Sequence, residues 1–304
     1  MPNVWTHILF GEDAMTESGL WNSIKCHLPY FRLGAQGPDP FFYHNFWPWK
    51  ETPVQEIGEV LHKKECGPFL IDMIEYGRNG DARLQAYILG FVTHHILDRN
   101  THPYIHYRAG LEGNKHQRLE IIIDTLLMKE YKDIDTWKTP VYKEIDIGPS
   151  LYTPIEQMLS ELVQRFYPES AARMPARYIE QSYHDMVLAL RLLFDPYGWK
   201  NKVLRKQVSS FSYRKEVGDE DYLNEEGNEW LHPSVKEEKS SATFEELLEQ
   251  ATDEATTILP LIHDYWHNEE NCTRDLKDLI GNRSYDTGKD CTLPLPLKHF
   301  SPIV

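Results

Sequence analysis

Three side chains able to bind a metal recur at one spacing in the stretch GFVTHHILDRNTHPYIH, residues 90–106: His94, Asp98 and His102 stand four residues apart. On a helix such steps stack side chains on one face, so the sequence predicts a ligating stripe. Tyr87 and Phe91 continue that stripe, which places the ligands on the buried side of the helix. A carboxylate buried between two imidazoles is costly without compensation. A divalent cation of the zinc type compensates it, because neutral imidazole and carboxylate both ligate such ions. His95, one residue along, also reaches toward Asp98 and is read as supporting the stripe from behind.

A second helical pair lies in KHQRLEIIIDTLLMKEY, where His116 and Glu120 share the inward face with Ile123 and Leu127. Asp124 extends that stripe as a candidate acceptor orienting an imidazole. Upstream, Val54, Gly58, Leu61 and His62 fall at helical spacing and turn His62 inward. Asp39 sits in the turn-rich GAQGPDPFF, bracketed by prolines that favour an extended backbone. His7 stands just ahead of a helix expected from about Ala14 to Cys26. The aromatic run from Phe41 to Trp49 is suited to walling a pocket.

These residues must be positioned by helices. The patterns predict further helices over about 69–76, 81–101, 155–166, 186–194 and 244–267, with Gly67-Pro68 and Pro103 as breaks and Pro260 inside the last. No repeat or strand-rich segment is evident, and the expectation is all-α: a single multi-helix bundle over 1–304. An irregular acidic loop at about 216–241, containing Trp230 and His232, is expected to pack near the site. A Pro-rich segment at about 283–304 carries no predicted element. The dipeptides His184-Asp185 and His263-Asp264 read as ordinary helix residues.

The formal charge of −15 argues against nucleic acid or an anionic bilayer as the main partner. Cys26, Cys66, Cys272 and Cys291 form no CxxC pair and read as reduced thiols. The N-terminal residues show no cationic and apolar leader pattern, and no stretch has the length of a membrane span, so a cytoplasmic location is expected.

In chain order, His7, Asp39 in its GPD turn, His62, His94-x3-Asp98-x3-His102 and His116-x3-Glu120 resemble the zinc-dependent phospholipase C family. By motif the resemblance covers about residues 1–130. The spacing is closer to the branch containing the amino-terminal domain of glycosylphosphatidylinositol-specific phospholipase D than to the secreted bacterial enzymes. The resemblance implies a helical fold of the phospholipase C and P1 nuclease type. It implies one zinc on Asp39, His62, His94 and Asp98 and a second on His102, His116 and Glu120. A third zinc in the secreted enzymes uses an N-terminal Trp, a His and the bridging Asp. Here Trp5 is not terminal, which leaves His7 and Asp98 for that position and two or three ions in all.

The chemistry implied is hydrolysis of a phosphoester or phospholipid by metal-activated hydroxide, with Asp39 as ligand, general base or both. The alternatives are a zinc nuclease-like phosphodiesterase and a non-catalytic metal-binding protein. A site with every metal position closed by protein would favour the latter.

Overall fold

The computed structural model describes residues 4–47, 49–50, 52–203, 211–267 and 273–304. Cys272 lies outside them. The fold is all-α, with a two-stranded hairpin as its only named sheet among the described residues. None of the described helices is long and apolar enough to cross a membrane.

The organising element is α7, Ala82–Ala109. Asp81 caps its start, accepting from the backbone N–H of Arg83 and Leu84, which satisfies two of the amides a helix leaves without partners. The helix is almost wholly buried because other helices pack around it: α1 (Val4–Glu17), α3 (Leu28–Gly34), α6 (Cys66–Gly77), α8 (Lys115–Lys132) and a long C-terminal helix, Phe244–His267. The crossing with α3 is backbone on backbone. A Cβ added at Gly90 would stand 2.1 Å from the Phe31 carbonyl oxygen, and one at Gly34 2.0 Å from that of Tyr87.

The expected stop at Pro103 does not occur, and α7 continues to Gly110, whose φ of 71° turns the chain out. Pro103 has no N–H, so the Arg99 carbonyl lacks its usual donor four residues on. The C-terminal segment passes at that point, where a Cβ at Gly288 would meet the Arg99 oxygen at 2.4 Å.

Three other expectations are corrected locally. His7 does not precede a helix; it lies within α1, because Val4, Trp5, Ile8 and Leu9 around it are all buried, and the break comes at Gly19 with φ 71°. Asp39 is not extended. It precedes the short helix α4 (Pro40–Tyr43) with φ −59° and ψ −32°, the turn having overridden the proline preference. Gly67-Pro68 lies in the first turn of α6, where a missing N–H costs nothing, and the break falls at Glu65 with φ 51°. The helices observed at Gln55–Lys63 (α5), Thr153–Phe166 and Phe244–His267 follow their sequence patterns, whereas the helix expected over 186–194 begins eight residues earlier, at Tyr178, because Ile179, Ser182 and Tyr183 are buried and extend its inward face.

The acidic loop contains the hairpin Trp230–Leu231 with Lys239–Ser240. The segment 283–304 forms only an isolated bridge, Arg283 with Asp290, yet it is firmly seated. Tyr285 N–H donates to the His62 carbonyl at 3.0 Å, and Ser301 and Ile303 donate to the Tyr107 and Arg108 carbonyls.

Candidate metal centre

Steps of four residues advance about 40° around a helix with 3.6 residues per turn, so a stripe of such steps winds across successive neighbours. His94, Asp98 and His102 therefore meet different partners. His94 and Asp98 face α1, where His7 stacks on the His94 ring with centroids 4.1 Å apart. Asp39 and His62 close the same region from α4 and α5, with His62 Nε2 3.5 Å from Asp39 Oδ1. His102 meets α8, its Nε2 3.4 Å from Glu120 Oε1, while His116 Nε2 stands 2.8 Å from that oxygen.

Asp98 is the hub. Its carboxylate oxygens lie 3.0 Å from His94 Nε2, 3.3 Å from His7 Nε2, 3.4 Å from His102 Nε2 and 4.0 Å from His62 Nε2. Ligating atoms converge within 4.8 Å of one another in three sets from the expected residues: His7, His94 and Asp98; Asp39, His62 and His94; His102, His116 and Glu120. A fourth set, His102, His106 and Asp286, includes two residues absent from the sequence expectation. His106 continues the four-residue series and was within reach of that reasoning. Asp286 follows no periodicity, and nothing local marks it.

The donor chemistry fits zinc. His62 Nδ1 bonds the Gly58 carbonyl at 2.7 Å and His94 Nδ1 the Ala35 carbonyl at 3.0 Å. A carbonyl on Nδ1 takes the proton there and leaves Nε2 as a lone pair aimed inward. Asp39 is buried with neither carboxylate oxygen hydrogen-bonded, and His102 is buried with neither ring nitrogen hydrogen-bonded. Buried polar groups in such number are rarely left so, and ligation of a metal ion would account for them.

The electrostatics agree. Burial pushes the Asp98 carboxyl up, but the imidazoles of His102, His94 and His7 outweigh it and hold Asp98 well below the carboxylate range. Glu120 is likewise raised by burial and held well below its range chiefly by His116. Burial lowers His116 to about 4 and keeps it neutral. Burial lowers His102 too, but Asp98 and Glu120 outweigh it and raise it to about 9.

Two expected supporting residues act otherwise. Asp124 does not bond an imidazole. Its carboxylate accepts from the Trp5 and Thr6 amides, the Thr6 hydroxyl and Tyr213 Oη, because the start of α1 lies across α8 at that point. It fixes the backbone one residue before His7. His95 turns away from the hub, its Nε2 donating to the Arg283 carbonyl at 2.8 Å and its ring edge against Tyr285. It therefore anchors the C-terminal segment. His232 does the same, with Nε2 donating to the Thr287 carbonyl at 3.0 Å. His184 and Asp185 belong to a helix elsewhere, where Asp185 accepts from the Asn45 amide.

A cavity of about 370 Å³ leads to the centre, lined by Asp39, His62, His102 and His116 within and by Phe42, Lys63, Leu111, Asp286 and Leu297 toward the mouth. A space of about 20 Å³ lies behind it among Thr6, His7, Asp98, His102 and Glu120.

No curated protein and no solved structure matches the chain. The family model described as zinc dependent phospholipase C matches residues 6–169, more than half of the chain and every expected ligand from His7 to Glu120. On that match and this arrangement of helices, the chain belongs to the zinc-dependent phospholipase C family.

Proposed function

We propose that the chain is a zinc-dependent phosphoric ester hydrolase of phospholipase C type. Asp39, His62, His94 and Asp98 would hold one ion and His102, His116 and Glu120 a second, with His7 beside Asp98 for a third. The observation that carries this is Asp98, a buried carboxylate with four imidazole nitrogens within 4.0 Å, whose two oxygens would be available to more than one ion. Zinc bound there would supply Lewis-acid charge and acidify water.

The side chains supply the rest. Asp39 lines the cavity with both oxygens unspent, suited to orient a water and take its proton at Oδ1 or Oδ2. Lys63 brings a positive charge to the mouth, where an anionic phosphoester enters a strongly acidic protein. Phe42, Leu111 and Leu297 offer an apolar wall to the alcohol portion. A cavity of about 370 Å³ suits a phosphoester headgroup, with any acyl chains left outside.

The test is elemental analysis of untagged wild type beside Asp98→Ala, followed by hydrolysis assays on a phosphomonoester, a phosphodiester and a phospholipid. Two or more zinc equivalents that fall on substitution, with turnover of one substrate class, are expected. Zinc without turnover would favour a metal-binding role, and no zinc after reconstitution would overturn the enzyme reading.

A further inference from the structure

The fourth convergent set reaches beyond the family-matched residues to the C-terminal segment. His106 is 8% exposed and neither of its ring nitrogens has a hydrogen-bond partner. Its Nε2 lies 3.7 Å from Asp286 Oδ1, and its ring centroid is 5.5 Å from that of His102 and 4.7 Å from that of His116. Burying an imidazole with both nitrogens idle is costly, and a carboxylate beside it relieves the cost only in part.

The loop carrying Asp286 is pinned on both sides of it. Ser284 Oγ and Tyr285 N–H both donate to the His62 carbonyl at 3.0 Å, and Gly288 N–H donates to the Ser284 carbonyl at 2.8 Å. The Thr287 carbonyl accepts from His232. Asp286 is therefore positioned by its neighbours' contacts, and its own carboxylate faces His106 Nε2 at 3.7 Å through Oδ1 and Lys63 Nζ at 3.8 Å through Oδ2. That is the preorganisation a ligand residue needs.

We propose that His106 and Asp286, together with His102, ligate a zinc ion at the mouth of the pocket. The proposal rests on the reading of His102 as a metal ligand. His102 also belongs to the set with His116 and Glu120, and neither of its ring nitrogens has a hydrogen-bond partner; holding both ions at once would require its imidazolate form, one nitrogen to each ion, with the ring proton released to solvent. The donors, two imidazoles and a carboxylate, match a zinc position left open to one further ligand. Because Asp286 belongs to the C-terminal segment, an ion there would tie that segment to α7 and make the outer wall of the pocket depend on metal.

The experiment measures zinc content and zinc affinity, by elemental analysis and chelator competition, for the full chain as wild type, Asp286→Asn, His106→Gln and Asp98→Asn. Asp286→Asn alters the loop and His106→Gln alters the helix, so misfolding of one leaves the other informative; circular dichroism of the metal-free forms checks both. Either variant is expected to lose one equivalent or to bind one ion at least tenfold more weakly. Zinc is also expected to slow hydrogen exchange at 283–290 in wild type and not in Asp286→Asn. If both variants keep wild-type content and affinity while Asp98→Asn loses metal, the mouth site is refuted and the inner centre stands. If wild type binds no zinc, both readings fall.

Discussion

Gly37 supplies a direct test of whether the position of His94 governs metal binding. It lies in the left-handed region at φ 50°, and a Cβ there would stand 2.3 Å from His94 Cδ2 and 2.8 Å from its Nε2. Ordinary contact begins at 3.4 Å, so in Gly37→Ala the ring must retreat about 1 Å, a displacement that costs on the order of a hundredfold at a reacting centre. His94 has no free space to retreat into, being fully buried with Nδ1 tied to the Ala35 carbonyl. A zinc–nitrogen bond of about 2.0–2.1 Å does not survive such a shift. The backbone cost of a left-handed alanine is about 1–2 kcal/mol, a few degrees of melting temperature in a chain of this size. The expected result is a folded protein with at least one zinc equivalent lost, read by elemental analysis and by thermal unfolding without metal. Wild-type zinc affinity in folded Gly37→Ala would refute the assignment of His94 as a ligand.

Other substitutions separate fold from site. Gly90→Ala drives a methyl into the α3 backbone, so soluble expression and helical circular dichroism should be lost; a stable Gly90→Ala protein would mean the crossing is looser than described. Asp124→Ala strands buried donors from Trp5, Thr6 and Tyr213, at about 1–3 kcal/mol for each donor left without a partner, and should destabilise by several kcal/mol in urea unfolding. A change below 1 kcal/mol, on the order of one exposed ion pair, would show those bonds to be dispensable. In the metal-free protein His102 is raised from 6.5 to about 9, so its imidazolium stabilises the fold fully below pH 6.5, and that contribution fades as pH rises through 9. Zinc competes with that proton, so affinity measured by calorimetry should climb between pH 6.5 and 9, and a flat profile would contradict the charge assignment.

The candidate ligands on regular helices were legible because periodicity fixes direction. His62, His94, Asp98, His102 and Glu120 are buried on the inward faces their spacing implies, His116 lines the cavity beside them, and the long C-terminal helix appears with its expected ends. Where tertiary packing competes with a local signal, the local signal lost. Pro103 reads as a stop, but packing on both sides holds the helix through it. Asp124 and His95 share faces with candidate ligands, yet each was claimed by a neighbour far away in the chain, residues 5 and 6 for one and 283 for the other. Asp286 was invisible for the same reason: 283–304 has no periodic pattern, and its placement comes from bonds to His62, His95 and His232.

The seating of the C-terminal segment on the Pro103 turn of α7 bears on synthesis. Every ligand from His7 to Glu120 has emerged from the ribosome about 170 residues before Asp286, which at about 5–20 residues per second is an interval of roughly 10–30 s. During that time the nascent chain carries the clustered imidazoles and carboxylates without Tyr285 or Asp286 over them. A metal centre built from them would then be open to whichever divalent ion is abundant, and copper outcompetes zinc for such donors. The order in which the chain is made thus sets a period in which the candidate ligands from His7 to Glu120 exist without the C-terminal wall of their pocket.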